Sequence, residues 1–312
     1  MRGELLAARG RIIACVLAVL SLVIVASAFG RGRGPFWRGD FRHGTWSQYD
    51  SYLSHHMDGN WPTDYLIVRS PHPRGFRYAA RYTTGPESIV PGQPGQRTLD
   101  SLWPSRRFGG GKTHAYQGAS TWYRDDLYLP SSFRPVPDQD WNIVYELHNW
   151  PDTSAAADVS CAIVTTNGGY GPFRDGGRRG QRLSCRVIGG GSARHPADDY
   201  NSHSWPRDPA IRWRWFVGLR HVPRNRWIHM VFHIKWSWRS GGYFEWWVDG
   251  HRRAAWHGPT LLYYRDNGQG RSGAGQAYLE HGYYRQRASW ATSLYHAATM
   301  IGPTAASVGG LG

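Results

Sequence analysis

Along residues 226–238, "RWIHMVFHIKWSW", apolar side chains fall at every second position. Ile228, Met230, Phe232, Ile234, Trp236 and Trp238 share one face, while Trp227, His229, Val231, His233 and Lys235 share the other. A period of two is that of a strand with one face packed inward and one wetter face. "GYFEWWVDGHRRAAW" follows, and its Asp249-Gly250 pair predicts a hairpin turn between two strands. "STWYRDDLYLP" (120–130) predicts another strand, closed by Pro130. In "WNIVYELHNW" (141–150), alternation places Trp141, Ile143, Tyr145 and Leu147 on the apolar face, with Asn142, Val144, Glu146 and His148 opposite. In "AYLEHGYYRQ" (277–286), Tyr278, Glu280, Gly282, Tyr284 and Gln286 share a face, with Leu279, His281 and Tyr283 turned away. No long amphipathic helix is predicted from Trp37 onward. The Gly- and Pro-rich stretches at 85–95, 108–112, 167–180 and 266–275 read as loops rather than interdomain linkers. The pattern therefore predicts an all-β sandwich, a single domain over 37–312, with 29–36 as a flexible lead-in.

The first residues change the setting. Arg2, Arg9 and Arg11 precede an apolar stretch from Ile12 to Val25, and Ala26-Ser27-Ala28 is an A-x-A cleavage pattern. That predicts a signal peptide over 1–28, hence a secreted, extracellular protein with no membrane association after cleavage. The leader's three Arg and one Glu take two charges from the formal +15 and leave about +13. Outside the cell, such a basic chain is expected to meet an acidic polysaccharide or anionic wall polymer rather than nucleic acid; an Arg-rich codon bias would give the same charge with no partner. Cys15 leaves with the leader, and Cys161 and Cys185 are expected to form a disulfide that restrains the end of a hairpin-like unit. The seventeen Trp suit a large core, with a minority free to stack on sugar rings.

If the polar faces of the two runs line one concave sheet, Glu146, His148, Glu280 and Tyr284 converge on a groove. No G-x-S-x-G, Walker, Rossmann or C-x-x-C pattern offers another chemistry. Nor is there the Glu-x-Asp-x-Glu run of a laminarinase-type hydrolase, although Glu146 and Glu280 on one groove could serve as a hydrolase's two carboxylates.

Here the chain resembles a family. Glu146-Leu147-His148 and Tyr278-Leu279-Glu280-His281-Gly282-Tyr283-Tyr284-Arg285-Gln286 are similar to the alginate lyase motifs Gln-(Ile/Val)-His and Tyr-Phe-Lys-Ala-Gly-(Val/Ile)-Tyr-Asn-Gln. "GDFRHGTWSQYD" (39–50), "GASTWYRDDLYLP", "RNRWIHMVFHIKWSW", "GYFEWWVDGH" and "TSLYHAATMIG" (292–302) resemble, in order, segments of the heparin lyase I-like and glucuronan lyase-like polysaccharide lyases. The resemblance implies a concanavalin A-like β-jelly roll with a groove on its concave sheet, acting as a monomer on a uronate polysaccharide by β-elimination. It implies His148 as the base, or as neutraliser of the substrate carboxylate when Tyr284 makes both proton transfers. Tyr284 is the acid, and Tyr278 and Gln286 are binding residues.

The chain departs from the pattern where charge matters most. The family's Gln is Glu146 here and its Lys is Glu280, so two carboxylates face a uronate. Three ways out exist: protonation of one or both Glu, a Ca²⁺ held by Glu146 and Glu280, or loss of cleavage with binding retained. No cofactor is otherwise called for. The family's Arg-rich strand has no clean match; Arg97 ranks ahead of Arg107 because Asp100 follows near the motif's acidic position, and Lys235 is a further cation for the groove.

Overall fold

The alternation of period two becomes two antiparallel sheets in a computed structural model. It describes residues 34–45, 48, 65–72, 75–89, 95–102, 112–137, 142–150, 157–165, 181–199, 210–268 and 270–311. The strands are β1 (Trp37–Gly39), β2 (Tyr65–Arg69), β3 (Tyr78–Thr84), β4 (Gln96–Leu102), β5 (Ser120–Tyr128), β6 (Asn142–Trp150), β7 (Val159–Thr165), β8 (Gln181–Gly190) and β9 (Ile211–Leu219). They continue with β10 (Trp227–Lys235), β11 (Tyr243–Val248), β12 (His251–His257), β13 (Tyr263–Tyr264), β14 (Gly273–Ala274), β15 (Gln276–Arg285), β16 (Thr292–His296) and β17 (Thr299–Gly302). A nine-stranded sheet runs β12-β11-β10-β5-β16-β3-β2, with β17 on β5 and β1 on β17; a six-stranded sheet runs β4-β15-β6-β7-β8-β9. Strands distant in sequence lie side by side: β6 and β15, the two central strands of the site, are neighbours although eight strands come between them in the chain. Pro35–Gly312 is one unit, and the expected leader lies outside the described residues. No described helix is long and apolar enough to cross a membrane.

Between the sheets the expected apolar faces meet. Ile228, Met230, Phe232, Ile234 and Trp236 are all fully buried in the main core. Phe232 stacks on Tyr145 of the opposing sheet at 5.1 Å between centroids and on Trp246 at 6.1 Å. Each such aromatic pair adds about 0.5–1.5 kcal/mol beyond the area it buries. The Asp249-Gly250 turn joins β11 to β12 with φ of +49° and +76°, the left-handed pair that a two-residue hairpin needs. The tryptophans depart from expectation. Of those described, Trp37, Trp227, Trp236 and Trp246 are buried, while Trp122, Trp150, Trp213, Trp215, Trp238, Trp247, Trp256 and Trp290 are half-exposed. Indole is too large to fit repeatedly between two sheets about 10 Å apart, so most of it lies on outer faces and edges.

β6 does not alternate throughout. Its register slips between Ile143 and Tyr145 against β7, and against β15 opposite His281–Tyr284. Val144 and Tyr145 both enter the core, which leaves Ile143 beside Tyr284 on the outer face. Asn142 is consequently buried, where its Oδ1 accepts a hydrogen bond from Tyr283 at 2.7 Å. The sequence pattern had assigned Ile143, Val144 and Asn142 to the opposite faces; one extra residue in the strand reverses all of them.

A polar cluster crosses the core directly behind β15. His281 reaches Asp100 Oδ2 at 3.1 Å and Asp125 Oδ1 at 3.3 Å, while His296 Nδ1 meets the Asp125 carboxylate at 2.9 Å. Asp100 and His281 come from the six-stranded sheet, Asp125 and His296 from the other. Burial alone would lower the pKa of His281; Asp100 and Asp125 outweigh it and raise it to about 9. Burial likewise opposes ionisation of Asp125, but His296 and His281 hold its carboxyl well below the usual range.

Cys161 and Cys185 form the expected disulfide, but within the paired strands rather than at the loop end. Both are fully buried, and the bridge fixes the β7–β8 register. It joins positions 24 residues apart. Replacing both cysteines by Ala should lower unfolding free energy by about 3 kcal/mol, read as a fall in urea midpoint with unchanged strand content by circular dichroism.

Candidate active site

Tyr145 and Leu147 point into the core, so Glu146 and His148 must point out of the six-stranded sheet; Leu279, His281 and Tyr283 do the same for Tyr278, Glu280 and Tyr284. Cross-strand pairing then sorts the outward residues into rows. The central row runs Ser101, Glu280, Glu146, Ser160, Arg186 and Trp215 across all six strands. To one side, Arg97 pairs with Tyr284 and Tyr284 with Ile143. To the other, Tyr278 pairs with His148.

The geometry sets the expected residues against one another in three couples. Glu146 faces Glu280 directly, and Ser101 Oγ donates to Glu280 Oε1 at 3.2 Å. The Arg97 guanidinium lies 5.1 Å from the Tyr284 ring centroid. The His148 ring is 5.1 Å from that of Tyr278, with Nδ1 3.3 Å from the Asn149 carbonyl oxygen. It does not set His148 against Tyr284. They stand at opposite ends of the face with the glutamates between them, and six residues along β15 span about 20 Å.

The middle of the face is secluded from water. Tyr278 and Glu280 are 2% exposed, Glu146 5% and Tyr284 9%. Two like charges directly opposite on adjacent buried strands are unfavourable, which is the local cost of placing Glu146 against Glu280. Neither belongs to a group of three or more His, Cys, Asp or Glu side chains spaced to hold a metal among the described residues. Burial raises the pKa of Tyr284 well above its ordinary value; Arg97 opposes that, and Glu146 and Glu280 add to it. The Tyr284 hydroxyl is therefore protonated and can give a proton. Arg97 Nε is buried and has no hydrogen-bond partner among the described residues.

Other expected residues fall elsewhere. Gln286 lies one position beyond the end of β15 and is half-exposed. Lys235 ends β10 in the nine-stranded sheet, exposed between Ser120 and Tyr243, so it cannot reach this face. Its run alternates correctly, but alternation gives a face and not the sheet that carries it. Arg107 lies outside the described residues. Two cations went unrecognised. Arg182 and Arg186 of β8 share the outer face, and Arg186 stands in the glutamate row with its guanidinium 5.5 Å from the Trp215 ring centroid. The signal was present in "QRLSCRVI", where Arg182, Ser184 and Arg186 alternate with Leu183, Cys185 and Val187.

A jelly-roll sandwich whose secluded outer face carries paired carboxylates, a protonated tyrosine and arginines is the scaffold of a protein that handles polysaccharides. The chain belongs to the polysaccharide lyase family, whose model matches residues 41–299, and is a polysaccharide lyase. Among solved structures it is similar to the endo-β-1,4-glucuronan lyase of the fungus Trichoderma reesei, with 15% identity and a TM-score of 0.57 over 88% of this chain and 98% of that one. It is also similar to the exolytic family 7 alginate lyase of Zobellia galactanivorans (9% identity, TM-score 0.44, 77% and 88% covered). A β-glucanase catalytic domain of family GH131 from Podospora anserina matches at 12% identity and a TM-score of 0.47, with 86% and 96% covered. At 15% identity, the likeness to the glucuronan lyase shows the fold alone. No curated protein matches the chain.

The tyrosine assignment has a direct test. In an ultraviolet pH titration, the difference between wild type and Tyr284→Phe should show no tyrosinate signal as pH passes about 10, where an ordinary tyrosine ionises. A normal tyrosinate step from Tyr284 would contradict the burial and the glutamate charge around it.

Proposed function

We propose that this secreted protein, as a monomer, cleaves a uronate-containing acidic polysaccharide by β-elimination on the Tyr284 side of the glutamate row. The observation that carries the reading is Arg97, a half-buried guanidinium beside Tyr284 whose Nε has no acceptor among the described residues. A uronate carboxylate answers that donor, and pairing with Arg97 drains the charge that otherwise keeps the C5 proton from leaving. The ionised member of the Glu146–Glu280 pair takes the C5 proton. The C5–H electrons form the C4=C5 bond, the C4–O4 bond breaks, and O4 receives the Tyr284 proton. Proton return from the glutamate pair to the Tyr284 phenolate restores the resting state.

The role of His148 follows from its place. Paired with Tyr278 on the other side of the glutamate row, it grips a neighbouring sugar rather than the ring that reacts. Arg186 and Trp215 extend the same track toward the sheet edge, one with charge and the other with a stacking face. Arginine neutralisation leaves no need for Ca²⁺ at Glu146 and Glu280.

Incubated with alginate, glucuronan, heparin and pectate, the protein should produce the ultraviolet absorbance of an unsaturated uronate on at least one of them, and do so in EGTA. Tyr284→Phe should lower kcat about 10²–10⁴-fold with KM nearly unchanged, whereas His148→Ala should act chiefly on KM. Binding without cleavage on every uronate polymer would sink the proposal and leave a carbohydrate-binding protein of the same fold.

A further inference from the structure

The cluster behind β15 has the anatomy of a metal centre, independent of the groove chemistry. Asp125, His281 and His296 each present one ligand atom, and these atoms lie within 4.8 Å of one another. Both imidazoles present Nδ1 to the same point. His281 Nδ1 is 3.3 Å from Asp125 Oδ1, and His296 Nδ1 is 3.0 Å from it. The Thr299 hydroxyl closes the group, 2.9 Å from Asp125 Oδ1 and 3.1 Å from His281 Nδ1. Around a cation with bonds of ~2.0–2.1 Å, tetrahedral ligands are separated by about 3.3 Å.

The far nitrogens supply a second, independent observation. A metal-bound histidine gives its other N–H to a carboxylate or a backbone carbonyl, which fixes tautomer and ring direction. His281 Nε2 meets Asp100 Oδ2 at 3.1 Å, and Asp100 is itself held by the Tyr82 hydroxyl at 3.2 Å. His296 Nε2 faces the Gly282 carbonyl at 3.4 Å. Each histidine thus has its two nitrogens sorted in the same sense, Nδ1 toward Asp125 and Nε2 toward an outer acceptor.

Charge gives the same answer. Asp125 and Asp100 are buried carboxylates in a site where His281 and His296 are fully buried as well. A divalent cation held at that point would offset buried carboxylates without a further side chain. Two imidazoles with one carboxylate suit a borderline transition ion rather than Ca²⁺ or Mg²⁺, which take oxygen ligands. The site has no solvent-facing position, as in a structural rather than a catalytic centre.

We propose that Asp125, His281 and His296, with Thr299 at the fourth corner, bind a structural Zn²⁺ that joins the two sheets behind the groove. The full-length chain, expressed with zinc and dialysed against metal-free buffer, should carry one zinc per chain by elemental mass spectrometry. Refolding with Zn²⁺ should give a higher Tm than refolding with a strong chelator, and Co²⁺ in its place should give the visible absorption of a four-coordinate ion. Asp100→Asn, which keeps an acceptor on His281 but removes its charge, should weaken zinc retention about 10–100-fold in chelator competition. No stoichiometric metal in the wild-type chain, with a Tm indifferent to zinc and chelator, overturns the proposal and leaves protonated histidines as the clamp. The wild-type measurements decide the matter whether or not the variant folds.

Discussion

The pairing of buried carboxylates with buried imidazoles across the sandwich is the constraint from which the site follows. Asp100 and His281 come from one sheet, and Asp125, His296 and Thr299 from the other, so their contacts fix how the sheets face each other. An ion pair of this kind is costly to break, because either partner alone would be an uncompensated charge in the core. His281 therefore cannot turn outward. With Leu279 and Tyr283 it holds the inner face of β15, and the pleat then sends Glu280 and Tyr284 to the other side.

On that outer side, polarity is arranged by rows rather than by single residues. A carboxylate pair stands at the centre, arginines lie at both ends, and a tyrosine is buried beside one of them. The glutamates are tolerable because the cations Arg97 and Arg186 share their sheet. Their burial serves chemistry as well as costing stability, since charge interactions strengthen where water is excluded. Tyr284 illustrates the coupling: seclusion and the neighbouring glutamates keep it protonated, while the Arg97 charge beside it acts in the opposite sense.

Much of this was legible in the chain. Alternation located β5, β6, β10, β11 and β15, the Asp249-Gly250 turn, and the inward and outward faces of β15, because a strand's pleat is a local property of consecutive residues. The resemblance in residues 278–286 and 146–148 pointed to the family that residues 41–299 match. Where local reading failed, a nonlocal event intervened. The slip in β6 reversed Ile143, Val144 and Asn142, and nothing in "WNIVYELHNW" marks the residue that bulges. Lys235 was read on the right face of the right strand, in the wrong sheet.

The sequence by itself determined β5, β6, β10, β11 and β15, their inward faces apart from the start of β6, the cysteine pair, and Glu146, His148, Glu280 and Tyr284 as outward polar residues. Only the tertiary structure decided which of these meet. It put Glu146 against Glu280 and Arg97 against Tyr284, moved His148 away to Tyr278, and gathered Asp125, His281 and His296 from three strands of two sheets. The physical reason is that pleating is set within a strand, while register and sheet membership are set between strands far apart in the chain. The total packing of the core, not any one segment, chooses among those pairings.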